Sequence, residues 1–173
     1  MLNFKPLNSD SFAFQTWHYP TINNAERTYQ QRIIEVSLYS NSLVCLPTGL
    51  GKTYIGLVVM YNFHRWFPSR KVLFLAPTRP LVNQQFKYWT NTFSKTFNVS
   101  ATEMTGNLSP EKRYQAWNSN SIFFSTPQIV ENDLENNLCD PNSIVCLIID
   151  EAHRAVGNYS YCNIISKLND GNV

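Results

Sequence analysis

Two short stretches hold residue types that could handle a triphosphate. Leu46-Pro47-Thr48-Gly49-Leu50-Gly51-Lys52-Thr53 approximates the phosphate-loop pattern GxxxxGK[ST], with Leu46 where the pattern has its first glycine. The working parts survive that change. Gly49 and Gly51 let the backbone curl so that successive N–H groups point at phosphate oxygens. Lys52 offers a point charge to the β and γ phosphates, and the Thr53 hydroxyl can ligate Mg²⁺. Pro47, Thr48 and Leu50 complete the loop that would enclose the nucleotide. The second stretch is Asp150-Glu151-Ala152-His153. Asp150 is expected to hold Mg²⁺ largely through water, because that ion keeps much of its hydration shell. Glu151 is expected to orient and deprotonate an attacking water. His153 is the candidate for coupling this site to another element. Each stretch alone has a plainer reading. A glycine turn joins many strands to helices, and acidic pairs are common at helix N-termini for dipole reasons. Together, beside one sheet, they favour a nucleotide site.

The elements that must position these residues follow from hydrophobic spacing. Helical periodicity marks residues 26–40, 52–66, 79–93, 110–117, 129–136 and 159–168. Short continuous apolar runs mark strands at 42–46, 71–76, 122–125 and 143–150, with another near 99–104. Strand and helix alternate, and the strands are apolar throughout rather than at every second residue. That pattern predicts an α/β fold in which a parallel sheet is covered by helices on both faces. In such sheets ligands bind beyond the carboxyl ends of strands. Pro47–Thr53, Pro77–Arg79, Thr126–Gln128 and Asp150–His153 all lie there. Trp66, Trp89 and Trp117 fall on helical patterns as packing residues. Trp17 and Tyr19 are expected to fix the N-terminal stretch to the core, with lining an adenine pocket as the alternative. Arg65, Arg70 and Lys71 read as a solvated basic face.

Composition excludes extremes. The chain has 173 residues, 43% apolar and 15% charged, enough for one domain with a core of its own. Fourteen Lys+Arg against 12 Asp+Glu leave a net charge of +2, which excludes a polybasic arm but not contact with nucleic-acid backbone. The N-terminus is polar and broken by Pro6, with no signal-peptide core. The apolar stretch at 54–63 is shorter than the roughly 20 residues a membrane span needs, so no membrane partner is expected. Cys45, Cys139, Cys146 and Cys162 show neither a CxxC pair nor ligand spacing with histidine. Buried, reduced thiols in a soluble, reducing compartment are expected, with Cys45 and Cys146 inside apolar strands.

Beyond these spacings, the blocks LVCLPTGLGKT, VVMYNFHRWFPS, FLAPTRPLVNQQ, STPQIVENDL and IIDEAHRAVGNYSY resemble the Fanconi anaemia group M / Hef family of superfamily 2 DNA helicases, from about Trp17 onward. PTGLGKT and DEAH look like motifs I and II, and Leu46 in place of glycine is ordinary there. The resemblance implies a RecA-like P-loop NTPase domain, the first of a helicase's two. It implies ATP and Mg²⁺ as ligands and branched or forked DNA as partner. It also implies an ATP-dependent 3′→5′ translocase of DNA repair and replication-fork processing, located in the nucleus. Repair-complex proteins are possible further partners.

The same resemblance assigns further residues. Arg27 and Gln30 correspond to an adenine-reading glutamine motif, the amide meeting the adenine edge and the guanidinium stacking on the base. Pro77, Thr78 and Arg79 resemble motif Ia, Thr105 and Gly106 motif Ib, and Thr126, Pro127 and Gln128 motif Ic. These loops would hold one strand by its phosphates without reading sequence. Residues 1–24 read as a lead-in and 25–173 as the ATP-binding domain, ending after motif II. A second domain with arginine fingers, worth about 10³–10⁵ in rate in related enzymes, would be needed for full hydrolysis. The 173 residues alone are therefore expected to turn over ATP poorly. Two alternatives remain open: an RNA-directed superfamily 2 ATPase of the Dicer or RNA-sensor type, and a truncated binding module without activity.

Overall fold

A computed structural model describes residues 16–20 and 27–170. Most of the lead-in expected at 1–24 lies outside them. Helix α1 is Thr28–Tyr39, which buries Gln30, Ile34 and Leu38 at intervals of four. Helix α2, Lys52–Trp66, buries Ile55, Leu57–Asn62 and Trp66. It is apolar almost all round because it lies between α1 and the sheet. Strand β1 (Lys71–Leu75) follows, then α3 (Arg79–Trp89), opened by Thr78 and Pro80. The helix expected to reach residue 93 widens into a π turn at Thr90–Ser94, followed by a short α4 at Lys95–Phe97. Across that turn Trp89 and Phe93 stack at 4.7 Å. Strand β2 is Thr102–Met104, helix α5 Pro110–Ser119, strand β3 Ile122–Ser125 and helix α6 Pro127–Glu135. Strand β4 is Ile144–Ile149 and helix α7 Ser160–Asp170.

The four strands form one sheet in the order β2-β3-β1-β4. All pairings are parallel, with Phe74 opposite Phe124 and Ile148. Alternate residues serve opposite faces. Val72, Phe74, Ile122 and Phe124 pack under α1, α2 and α3. Leu73, Leu75, Phe123 and Met104 pack under α5, α6 and α7, where Trp117, Val130 and Tyr161 close the layer. The central strands β1 and β3 are covered on both faces, which is why their runs are continuously apolar, whereas the edge strand β4 is half-buried along most of its length. Trp66, Trp89 and Trp117 are buried as expected. Truncating a core ring of this kind costs about 3–5 kcal/mol.

Two expectations fail. Residues 42–46 are not a strand, and Leu43 is 76% exposed. A strand is a property of a pair, and among the described residues this run has no ladder partner: β4 pairs with β1 only. Cys45 is accordingly exposed rather than buried. Cys139 and Cys146 are buried, which pushes their thiols up to about 11 and about 12. Among the described residues, no helix is long and apolar enough to cross a membrane.

Candidate nucleotide and nucleic-acid site

The phosphate loop owes its bend to two residues in the left-handed region, Gly49 (φ 84°) and Gly51 (φ 82°). Gly51 precedes α2, whose first turn receives no side-chain cap. The free N–H groups and the dipole of that turn suit an anion. Lys52 is the first residue of α2 and is exposed. Its ammonium donates to the Leu46 carbonyl at 2.6 Å and the Pro47 carbonyl at 3.4 Å. It thus lies against the loop that a triphosphate would enter. Pro47, Thr48, Gly49 and Leu50 are exposed and Thr53 is half-buried.

A brace from α1 holds the loop. The Leu50 carbonyl accepts from the Tyr29 hydroxyl at 3.0 Å and from Gln30 Nε2 at 3.1 Å. Gln30 Oε1 accepts from the Tyr19 hydroxyl at 3.2 Å. Arg27 is exposed and donates to the Tyr29 hydroxyl at 3.2 Å. Gln30 is buried, so one donor and one acceptor site of its amide already work inside the protein. One N–H and one lone pair remain for a base. The bracing roles of Tyr19 and Tyr29 come from meeting Gln30 and Leu50 in space. The Trp17–Pro20 stretch is tied to the core as expected. Trp17 packs on the helical layer, and Asn62 exchanges two hydrogen bonds with the His18 backbone.

The acidic pair stands at the end of β4. The Asp150 N–H donates to the Leu75 carbonyl at 2.8 Å, extending the ladder by one residue. Its carboxylate accepts from the Glu151 N–H at 3.0 Å and from Gln85 Nε2 at 3.5 Å. Tyr161 donates to its carbonyl at 2.9 Å. Burial lifts the Asp150 carboxyl above the ordinary carboxylate range, and the Glu151 charge adds to this. The two N–H donors and the Lys52 ammonium pull the other way. Glu151 is exposed with φ 52°, a left-handed conformation that a residue with a Cβ rarely adopts. Its carboxylate lies 3.3 Å from His153 Nδ1, and both side chains face solvent. Gln85, on α3, ends the FLAPTRPLVNQQ block, whose pattern gives it no role of its own. Only its buried position beside Asp150 reveals it.

The donor set suits a hard cation. Thr53 offers a hydroxyl, and Asp150 a half-buried carboxylate under the field of Lys52. Helix α2 packs on β4, and a Cβ on Gly56 would stand 3.0 Å from Ile148. The phosphate loop and the acidic pair therefore belong to neighbouring elements.

The expected strand-binding loops follow β1, β3 and β2, which are adjacent in the sheet. Pro77 is half-buried, while Thr78 and Arg79 are exposed. Thr105 is half-buried and Gly106 exposed. Arg79 Nη2 lies 2.8 Å from where a Gly106 Cβ would be, so the first and second loops touch. Thr78 and Thr126 are N-caps whose side chains make no cap bond. Their helix starts remain open to an anion. Gln128 is exposed, but Pro127 is buried. Pro127 opens α6 with its ring packed inward.

A phosphate loop and an acidic strand end beside a parallel α/β sheet define a nucleotide-binding domain. The family model described as "Type III restriction enzyme, res subunit" matches residues 23–171, and the chain belongs to that family. The resemblance to Fanconi anaemia group M proteins and Hef is borne out. The chain is 49% identical over 152 residues to the Fanconi anemia group M protein of Gallus gallus, covering 88% of this chain and 7% of that protein. It is 48% identical over 160 residues to the "DEAD-box ATP-dependent RNA helicase FANCM" of Arabidopsis thaliana, covering 92% and 12%. It is 45% identical over 159 residues to the "ATP-dependent DNA helicase mph1" of Sclerotinia sclerotiorum, covering 92% and 13%. The Pyrococcus furiosus Hef helicase domain superposes with a TM-score of 0.78 at 37% identity, over 84% of this chain and 30% of that one. The fold is thus that of a RecA-like helicase domain, and the chain spans 7% to 13% of the length of the three curated relatives named.

Proposed function

We propose that these residues form the ATP-gripping half of a nuclear DNA helicase-translocase that remodels branched DNA in repair and at replication forks. One observation supports the reading most: α2, which begins at Lys52 where the phosphate loop ends, packs on β4, which ends in the acidic pair, with a Cβ on Gly56 standing 3.0 Å from Ile148. In this reading the amide-lined bend Pro47–Gly51 encloses the phosphates and Lys52 neutralises the β and γ oxygens. Arg27 and Gln30 meet the base. Thr53 and Asp150 hold Mg²⁺, which supplies the charge that stabilises the departing phosphate. Glu151 orients the attacking water and accepts its proton, and His153 fixes Glu151 from the side. Pro77, Thr78, Arg79, Thr105, Gly106, Thr126, Pro127 and Gln128 form the loops that hold one DNA strand by its phosphates. A second motor domain with arginine fingers completes the reaction. Residues 25–173 are the proposed domain and 1–24 its lead-in.

The test is a titration with a fluorescent ATP analogue and Mg²⁺, comparing wild type with Lys52→Ala. Losing a charge-assisted contact worth about 1.5–3 kcal/mol weakens binding by about ten- to a hundredfold. Equal affinity in the two proteins would end the nucleotide reading. Because one relative is named an RNA helicase, labelled DNA and RNA oligonucleotides of one length are titrated in parallel. Tighter DNA binding supports the assignment.

A further inference from the structure

A buried ion pair joins α5 and α6, the helices that follow two of the three proposed strand-binding loops. Arg113, near the start of α5, is 8% exposed, and Asp133, on α6, is fully buried. Arg113 Nε donates to both Asp133 oxygens, at 2.8 and 3.1 Å. Trp117 Nε1 donates to the same carboxylate at 2.9 Å. The other end of the guanidinium points away from Asp133, and Nη1 donates to the Leu108 carbonyl at 2.6 Å. Leu108 closes the turn that presents Thr105 and Gly106, its N–H donating to the Thr105 carbonyl at 3.1 Å. Asp133 belongs to the helix that begins at Pro127, directly after its N-cap Thr126.

Stability alone is a weak reason for this arrangement. A buried ion pair gains little over a well-packed apolar pair, because two charges must leave water. A guanidinium adds direction, since its planar fork holds two acceptors at fixed angles. Here one acceptor is a carboxylate on α6 and the other a carbonyl in the turn before α5. We propose that Arg113 is a positioning residue. Braced by Asp133, it sets the 105–108 turn at a fixed place relative to the start of α6, so that the loops after β2 and β3 grip one nucleic-acid strand as a unit. Arg79, against Gly106, brings in the third loop. The inference deepens the proposed DNA track and rests on it.

Three variants of the full chain separate positioning from stability. Arg113→Lys keeps a charge for Asp133 but cannot reach Leu108 as well. Arg113→Met with Asp133→Asn removes both charges, leaves Trp117 an acceptor and lacks the tether. Trp117→Phe weakens the carboxylate's support but spares the tether. The readouts are anisotropy of a labelled oligo-dT, affinity for the fluorescent ATP analogue, and amide exchange across residues 103–110. Both Arg113 variants are expected to bind oligo-dT about tenfold more weakly, the loss of one charge-assisted bond. They are also expected to exchange faster in the turn, with nucleotide affinity within about twofold of wild type. Trp117→Phe is expected to melt lower yet bind oligo-dT normally. Wild-type oligo-dT affinity in a folded Arg113 variant overturns the proposal. So does an equal affinity loss in Trp117→Phe. Should wild type bind nucleotide but no oligo-dT, the DNA track fails, and unchanged exchange in the turn would then refute the tether separately.

Discussion

Gly51→Ala tests the brace between α1 and the phosphate loop. Gly51 has φ 82°, and a Cβ there would lie 2.4 Å from Gln30 Nε2. The left-handed conformation costs an alanine about 1–2 kcal/mol. The clash adds a second penalty. Gln30 can move only by releasing the Leu50 carbonyl and the Tyr19 hydroxyl, at about 1 kcal/mol per bond. The sum is about 3–4 kcal/mol. Gly49→Ala is the internal control. Its φ is 84°, but nothing lies within 4 Å of its added Cβ, so only the conformational cost of about 1–2 kcal/mol applies. Urea denaturation should separate the two by about 2 kcal/mol, or about 1 M in midpoint at a slope of about 2 kcal/mol/M. In a Gln30→Ala background the difference should vanish, because the obstructing amide is gone. Equal destabilisation by the two alanines in the wild-type background would refute the brace.

Asp150→Asn should abolish the effect of Mg²⁺ without weakening the fold. The folded-state pKa of Asp150 is raised, so the folded form holds the proton more tightly and the ionised carboxylate opposes folding at neutral pH. That penalty is relieved as pH falls, and asparagine removes it at any pH. Thermal melts should show the variant at or above the wild-type Tm. Adding Mg²⁺ to ADP should raise Tm further only in wild type, where ligand at a hundredfold excess over Kd adds about 2.7 kcal/mol. His64 makes the fold acid-sensitive. Burial depresses its pKa below 6.5, and its Nδ1 is buried without a partner. The unfolded chain therefore takes up the proton first, and stability present above about pH 6.5 is lost as pH falls toward the depressed value. Melts at pH 7.5 and 5.5 should show a smaller drop for His64→Leu than for wild type. Some drop should remain, because burial and Arg65 also depress His18.

The features legible in the sequence are local ones. Continuous apolar runs such as VLFLA and IFFS announce strands covered on both faces, because only a buried parallel strand needs no polar side. Glycines before Lys52 and an acidic pair after β4 announce the ends where ligands gather, because loop chemistry is written in consecutive residues. Tertiary structure decided what depends on a partner far along the chain. Residues 42–46 have strand composition but no neighbour to ladder with. Pro127 has a motif position but a buried ring. Gln85 meets Asp150 across 65 residues, and Arg113 meets Asp133 across 20. No periodicity encodes such meetings. They arise when packing brings two polar groups together away from most of the solvent, where each is best satisfied by the other.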